Sequence, residues 1–219
     1  MYMYTHQGNS YYAVQPMNQM SFIRILHASP DAPAVDIYAN GNIIAEGLTY
    51  KQLTNYLPIV PGIYQIQVYP AGTDTDPVID TSVTVPQNSA FTIAAVGRLS
   101  DISLLPIPEA YMPHMLIGTS ENSFVRFVHL SPNAPAVDIT LPNGTKLFEN
   151  VSYQQFTDYI AVNTGNYTLQ VRPTGSDQVV LTIPNVNLMP GVIYSIYAVG
   201  LVGEQPPLEA MIAVDGEYQ

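Results

Sequence analysis

The stretch that decides the fold is FIRILHASPDAPAVDIYANG at residues 22–41, which returns as FVRFVHLSPNAPAVDITLPNG at residues 124–144. In both copies, short runs of alternating apolar and polar residues end on a turn dipeptide, Asn40-Gly41 or Asn143-Gly144. Alternation with a period of two is typical of strands, and Asn-Gly tolerates the positive φ of a tight hairpin turn. The repeated stretch therefore predicts short strands joined by turns.

The repeat extends well beyond this stretch. The segment TYKQLTNYLPI at residues 49–59 matches SYQQFTDYIAV at residues 152–162, and GIYQIQVYPAG at 62–72 matches GNYTLQVRPTG at 165–175. A unit of about 100 residues is large enough to hold its own core, unlike the repeats of ~20–50 residues that form solenoids. The chain is therefore interpreted as a tandem duplication of one domain.

The fold class follows from the short strands and the frequent prolines. Nowhere do ten residues show a helical period with caps, and 19 prolines leave little room for helices of ordinary length. The pattern predicts an all-β chain with two tandem antiparallel β-sandwich domains at residues 21–107 and 123–219. A connector at residues 108–122 joins them, and a Tyr- and Met-rich tail occupies residues 1–20.

Composition excludes several function classes. Six Lys and Arg against 17 Asp and Glu give a net charge of −11, which disfavours a nucleic-acid binder because such proteins cluster cations against phosphates. The absence of cysteine excludes disulfides and thiolate metal sites. No apolar stretch reaches the ~18 residues of a membrane span, and the start of the chain lacks the basic and apolar regions of a classical signal peptide.

The string HASPDAPAVDIYANG, echoed as HLSPNAPAVDITLPNG, resembles the DUF4397 domain of bacteria and archaea. A later strand, GIYQIQVYPAG in the first copy and GNYTLQVRPTG in the second, also fits that family. The resemblance covers both copies and implies a prealbumin- or immunoglobulin-like sandwich of the kind found, often in tandem, on secreted and surface proteins. It implies no chemistry. The second copy departs from the motif at Asn133, where the first has Asp31.

Three polar residues of the opening motif recur in both copies and are the candidate site residues. They are Arg24, His27 and Asp36 in the first copy and Arg126, His129 and Asp138 in the second. If the strands at 22–28 and 34–39 form a hairpin, Arg24 and Asp36 face each other as a cross-strand ion pair that fixes the register. A catalytic or ligand-binding role for these residues is the alternative.

His27 precedes a proline-rich loop, and its imidazole is expected to bond the loop backbone, which two prolines leave short of partners. Metal binding needs three or more converging ligands, and only His27, Asp31 and Asp36 lie close in sequence. Because Asn133 replaces Asp31 in the second copy, we expect no metal. The alternating acids at 74–80 are interpreted as a solvated loop and not as a calcium loop. No other cofactor is indicated.

The tail offers the candidate assembly residues Tyr11, Tyr12 and Val14, within a segment of high β-propensity that ends before Pro16. Addition of this strand to an open sheet edge of a neighbouring copy would build filaments. A disordered extension is the alternative. The expected partner is thus a second copy of the chain.

These observations favour a non-enzymatic structural or assembly module, located outside the cell or on a bacterial cell or spore surface. The alternative function is adhesion by binding a carbohydrate or another envelope polymer. Tyr38, Tyr69 or Tyr111 would then stack on sugar rings, although Arg172 replaces Tyr69 in the second copy. An enzyme using His27 with Asp36 is the third reading. It lacks an adjacent nucleophile and any recognisable catalytic motif.

Overall fold

Alternation of apolar and polar residues produces strands throughout the chain, which is seen in a computed structural model that describes residues 20–110 and 121–218. The strands of the first half are β1 (Ser21–His27), β2 (Val35–Ala39), β3 (Asn42–Leu48), β4 (Leu57–Ile59), β5 (Gly62–Pro70), β6 (Ile79–Val85), β7 (Ala90–Val96) and β8 (Ser103–Glu109). The only helical segment within the described ranges is a 3₁₀ turn at Leu99–Asp101. In those ranges no helix has the length and apolar character needed to cross a membrane.

The second half repeats this order of elements. Its strands are β9 (Asn122–His129), β10 (Val137–Thr140), β11 (Lys146–Val151), β12 (Ile160–Asn163), β13 (Gly165–Pro173), β14 (Leu181–Leu188), β15 (Ile193–Val199) and β16 (Glu209–Asp215). Strand β8 continues two residues past the predicted end of the first domain, and β9 begins one residue before the predicted start of the second.

Each half forms a sandwich of two four-stranded sheets. In the first domain the sheet orders are β4-β1-β7-β8 and β3-β2-β5-β6, and in the second they are β12-β9-β15-β16 and β11-β10-β13-β14. The predicted all-β class with two sandwich domains is thus confirmed. The pairing is mostly antiparallel, but β1 pairs with β7, and β9 with β15, in parallel.

The predicted hairpin of the first two strands is wrong. Strand β1 pairs with β4 and β7, whereas β2 pairs with β3 and β5 in the opposite sheet. The proline-rich loop 28–34 therefore carries the chain from one sheet to the other and not back along the same sheet. The predicted turn is present between β2 and β3, where Asn40 and Gly41 have φ of 49° and 77°.

Among the residues that the structure describes, three apolar clusters form the interior. One fills the first sandwich and one fills the second. The third lies between the domains, where the sheet β4-β1-β7-β8 meets the sheet β12-β9-β15-β16. Because this third cluster draws on strands of both domains, we call it the shared core. It places residues of both copies side by side and positions the site described next.

Candidate functional site

Arg24 and Arg126 occupy equivalent positions on the sheet faces that meet at the shared core. Strand alternation turns Ile23 and Ile25 into the core of the first sandwich, so Arg24 and Leu26 point the other way, toward the second domain. Arg24 is only 3% exposed and Arg126 only 1%. Arginine is seldom buried this deeply unless its charge is paired, so the surrounding residues must supply partners.

The Arg24 guanidinium bridges the two domains. Its Nε donates to Thr92 Oγ1 at 2.8 Å and to Glu109 Oε1 at 3.1 Å, both in the first domain. Its Nη1 donates to the Val214 carbonyl oxygen at 2.8 Å, and Nη2 forms an ion pair with Asp215, both in the second domain. One side chain of β1 thereby fixes the position of β16.

Arg126 makes an equivalent but smaller set of contacts, with Asp215 of its own domain as its carboxylate partner. Its Nε donates to Ser195 Oγ in its own domain at 2.6 Å, and Nη1 donates to the Pro108 carbonyl oxygen in the first domain. Its Nη2 lies 3.5 Å from Asp215 Oδ2. Each arginine thus binds a hydroxyl of its own domain and a carbonyl in the last strand of the other.

Two tyrosines close the cluster on its sides. Tyr56 lies under the Arg24 guanidinium and Tyr159 under that of Arg126, each with 4.7 Å between the guanidinium carbon and the ring centroid. Such cation–π contacts contribute most when the cation is desolvated, as here. The Tyr56 hydroxyl donates to Glu109, and the Tyr159 hydroxyl donates to Asp215 Oδ2 at 2.6 Å.

We call these two arginines, two carboxyl groups and two tyrosines the arginine cluster. Burial, together with nearby Asp215, raises the pKa of Glu109. Burial also raises the pKa of Tyr56 and of Tyr159. Burial acts to lower the pKa of Arg24, but the surrounding acidic groups outweigh it and raise that pKa, so the guanidinium stays charged.

Apolar residues of the shared core surround this polar centre. Leu26, Ile107, Val128 and Leu130 are each 0% exposed and come from both domains. Tyr197, also fully buried, lies within hydrogen-bonding reach of the arginine cluster through its hydroxyl. The contact between the domains therefore has the apolar interior of a folded core and not the wet surface of a transient contact.

The predicted ion pair between Arg24 and Asp36 is wrong, because the two residues lie in different sheets. Asp36 instead accepts from the backbone N–H groups of Gly47 at 2.6 Å and Gly72 at 2.8 Å. Its carboxylate thereby ties the β3 bulge to the turn after β5. Asp36 is thus an anchor of two loops and not a partner of Arg24.

Asp138 acts in the same way in the second domain. It accepts from Asn150 N at 2.8 Å, and Lys146 Nζ lies 2.9 Å away. Although desolvation acts in the opposite direction, these hydrogen bonds lower the pKa of Asp138. The aspartates of the two copies are thus equivalent loop anchors at the same end of each sandwich.

The two histidines are buried beneath the proline-rich loops. His27 Nε2 lies 2.9 Å from the Pro33 carbonyl oxygen, and His129 Nε2 lies 3.1 Å from that of Pro135. Both side chains are 0% exposed, and burial lowers the pKa of each. A neutral imidazole therefore donates to a loop carbonyl in each copy.

The structure also explains why Asp31 and Asn133 are interchangeable. Asp31 Oδ1 accepts from Leu99 N at 2.8 Å, and Asn133 Oδ1 accepts from Val202 N at the same distance. Both side chains supply this acceptor oxygen, and the Asn133 amide also donates to the Val202 carbonyl oxygen at 3.0 Å and to Glu204 Oε1 at 3.1 Å. Among the described residues, no group of three or more His, Asp or Glu side chains is placed to hold a metal ion.

A third arrangement lies on the outer face of the sheet β3-β2-β5-β6. Tyr38 of β2 and Tyr69 of β5 pack edge to face, with ring centroids 5.5 Å apart. Gln65 and Gln67 lie beside them on β5 and bond the Asp80 carboxylate of β6. We call this surface the tyrosine face.

Sequence reasoning missed Glu109, Asp215, Tyr56 and Tyr159, although each has a counterpart of the same type in the other copy. Recurrence in both copies, outside the opening motif as well as within it, is the signal that marks these residues. The assembly residues Tyr11, Tyr12 and Val14, and the candidate stacking residue Tyr111, lie outside the described residues.

Comparison with known proteins identifies a family and several distant structures. The family model described as "Domain of unknown function (DUF4397)" matches residues 21–140 and 123–217. No curated protein matches the chain.

Solved structures with some similarity share little sequence with the chain. The C-terminal domain of AlgF from P. aeruginosa is 18% identical, with 43% of this chain and 98% of that chain covered and a TM-score of 0.34. The family CBM26 module CBMbc of Eubacterium rectale Amy13K, in complex with maltoheptaose, is 10% identical, with 90% and 97% covered and a TM-score of 0.29.

Proposed function

This chain belongs to the DUF4397 family, with two copies of the domain in tandem, and we propose that it is a non-enzymatic structural module of a bacterial cell or spore surface. The observation that carries the proposal is the shared core. Two domains that bury apolar residues and two arginines against each other move as one body, because separating them would expose the apolar shared core to water. A rigid double unit suits a building block.

The recurring polar residues support a structural role. The side chains of Arg24 and Arg126 form contacts between the domains. Those of Asp36 and Asp138 anchor loops through hydrogen bonds. His27 bonds a loop carbonyl and not Asp36, so the pair considered as a catalytic candidate is not assembled. Residues that recur in both copies are therefore explained by the fold.

The distribution of charge fits an exposed, stable layer. Five of the six Lys and Arg residues form ion pairs within the chain, and the sixth, Arg172, is held by neighbouring oxygen atoms. Three of those ion pairs, at Arg24, Lys51 and Arg98, join the two domains. The remaining surface charge is negative, which keeps neighbouring units from associating at random.

Assembly into fibres or layers would use the N-terminal segment. In our proposal residues 10–15 of one copy add as a strand to β6 of the next. β6 is an edge strand of seven residues without proline, with a free row of backbone groups on one side. In the other outer sheet the edge strand that corresponds to β6 is β14, which is interrupted by Pro184.

Electron microscopy and light scattering of the purified chain test assembly. We expect fibres or layers from the full chain and monomers after deletion of residues 1–20. Thr84→Lys, which places a charge on the β6 edge, should also block assembly, whereas the matched Asn187→Lys change in β14 should not. A full chain that stays monomeric at high concentration, or a deletion variant that assembles like it, would overturn the assembly proposal.

The non-enzymatic role is tested separately by a His27→Ala/His129→Ala double variant. Because each imidazole bonds a buried loop carbonyl, we expect an unstable protein. A stable protein that loses a measurable activity of the full chain would contradict the proposal. Immunogold labelling of intact cells and spores tests the location.

A second candidate function is adhesion to an envelope polymer, and the tyrosine face is the observation that favours it. Half-exposed aromatic rings beside amide groups form a surface on which a polymer can stack and hydrogen-bond. Binding of the purified chain to isolated cell envelopes, measured by co-sedimentation, tests this function.

A further inference from the structure

We infer that the tyrosine face binds an uncharged polysaccharide, with Tyr38 and Tyr69 as the stacking platform. The inference rests on the second candidate function, adhesion, and assigns it a site and a class of ligand. The apolar face of a pyranose ring stacks on an aromatic ring, while the hydroxyl groups around its rim need hydrogen-bond donors and acceptors. The tyrosine face offers both within one sheet.

The register of the sheet lines up these groups in a row. Tyr38 is the cross-strand partner of Ile43 on one side and of Gln67 on the other, and Gln67 is the partner of Asp80. Adjacent strands lie about 4.8 Å apart, so the row of four residues spans about 14 Å. Ile43 is 48% exposed and continues the apolar end of the row. The row thus changes from apolar to polar across the sheet.

The polar end is organised before any ligand arrives. Gln65 and Gln67 both donate to the Asp80 carboxylate, and the Ser82 hydroxyl donates to Gln65 Oε1 at 2.9 Å. These exposed groups hold one another in place, which lowers the entropy lost when they bond a sugar hydroxyl. Among the described residues, neither tyrosine hydroxyl of the platform has a hydrogen-bond partner. Those hydroxyls are free to bond the ligand.

Charge selects a neutral polymer. The Asp80 carboxylate on this face is exposed, and among the described residues it forms no ion pair with a Lys or Arg side chain. The first-domain cations Arg24, Lys51 and Arg98 are each bonded to a carboxylate of the second domain. An anionic polymer such as a polyuronate would meet uncompensated negative charge here. The face therefore fits a chain of uncharged sugar units.

The second domain carries the same strands without the platform. Thr140 and Arg172 replace the two tyrosines, and Lys146 stands where the first domain has Ile43. Arg172 donates to Thr140 Oγ1 at 3.2 Å and to Gln170 Oε1 at 2.7 Å. The polar side chains at these positions of the second domain therefore already bond a guanidinium. The fold does not require aromatic residues at these positions. The second domain is therefore an internal control.

Calorimetric titration of the full chain with neutral and acidic hexasaccharides tests the inference. The probes are maltohexaose, cellohexaose, N-acetylchitohexaose and hexagalacturonate. We expect at least one neutral probe to bind and hexagalacturonate not to bind. Tyr38→Ala and Tyr69→Ala should each weaken binding about tenfold. Tyr69→Phe, which keeps the ring, should retain most of it, and the matched Thr140→Ala change in the second domain should leave it unchanged.

The outcomes separate this site from adhesion as a function. Circular dichroism spectra that match the wild type will show that the variants are folded. The site is wrong if no neutral hexasaccharide binds, if hexagalacturonate binds as well as they do, or if the tyrosine variants bind like the wild type. If the chain still sediments with cell envelopes in any of those cases, adhesion stands and only the tyrosine face is excluded. If it binds neither, both proposals fail.

Discussion

Arg24→Ala tests how firmly the arginine cluster joins the two domains. The change leaves Glu109 buried without an ion-pair partner among the described residues and Asp215 with only Arg126, 3.5 Å away, and it removes the cation over Tyr56. Removing one partner of a buried ion pair costs about 3–5 kcal/mol, because the other charge stays buried without compensation. For a chain of this length, each kcal/mol corresponds to roughly 2–4 °C in Tm. We therefore expect a fall in Tm of about 6–20 °C.

Thermal unfolding followed by circular dichroism and by tyrosine fluorescence measures this effect. Arg98→Ala is the control, because it removes an ion pair between the same domains whose side chains are 34% and 49% exposed. Solvent screens such pairs, so its midpoint should barely move. An Arg24→Met/Glu109→Leu double variant should recover much of the loss, because it removes both charges of one pair. An Arg24→Ala midpoint equal to that of Arg98→Ala would refute the reasoning.

Two further changes probe other parts of the fold. Burial lowers the pKa of His27 and His129, so their contribution to stability is present above the unfolded pKa of about 6.5 and is lost as pH falls through the lowered folded pKa. Urea midpoints at pH 7.5 and 5.5 should show this loss, and a His27→Gln/His129→Gln variant should show a smaller one. Gly200 has φ of 83°, and a Cβ there would lie 2.1 Å from the Pro207 carbonyl oxygen. Gly203 has a similar φ, but a Cβ there would have no atom within 4 Å, so Gly203→Ala should lower the free energy of unfolding by only about 1–2 kcal/mol. Gly200→Ala should lower it by well over that amount. Equal thermal midpoints for the two glycine variants would contradict this.

The sequence predicts the strands and the duplication well, because both depend on local patterns. Alternation and the Asn40-Gly41 turn are visible within a few residues. The order of strands in the sheets does not follow from local patterns, because β1 pairs in parallel with β7, more than 60 residues further along the chain. Two strands joined by a short loop usually suggest a hairpin, and only the whole fold shows that the loop crosses to the other sheet.

The candidate site could be predicted only as a set of residues. Recurrence in both copies marks Arg24 and Arg126 as candidates, but some of their partners come from strands in the other domain. Glu109 was assigned to the connector, where nothing in the sequence indicates burial. A prediction that treats each copy as a separate unit cannot place a carboxylate from one domain beside a guanidinium from the other.

The reciprocal contacts of the arginine cluster are those that two identical subunits make across a two-fold axis. In a symmetric homodimer, any residue beside the axis must fit against its own copy. Covalent linkage removes that requirement. Tyr197 stands in the second domain where the first has Ala94, and both lie in the shared core. In a dimer of identical chains, both copies of this position would carry a tyrosine ring or neither would. Because both halves belong to one chain, equivalent positions at the contact between them can hold different residues. The outer face of each half can likewise diverge from that of the other.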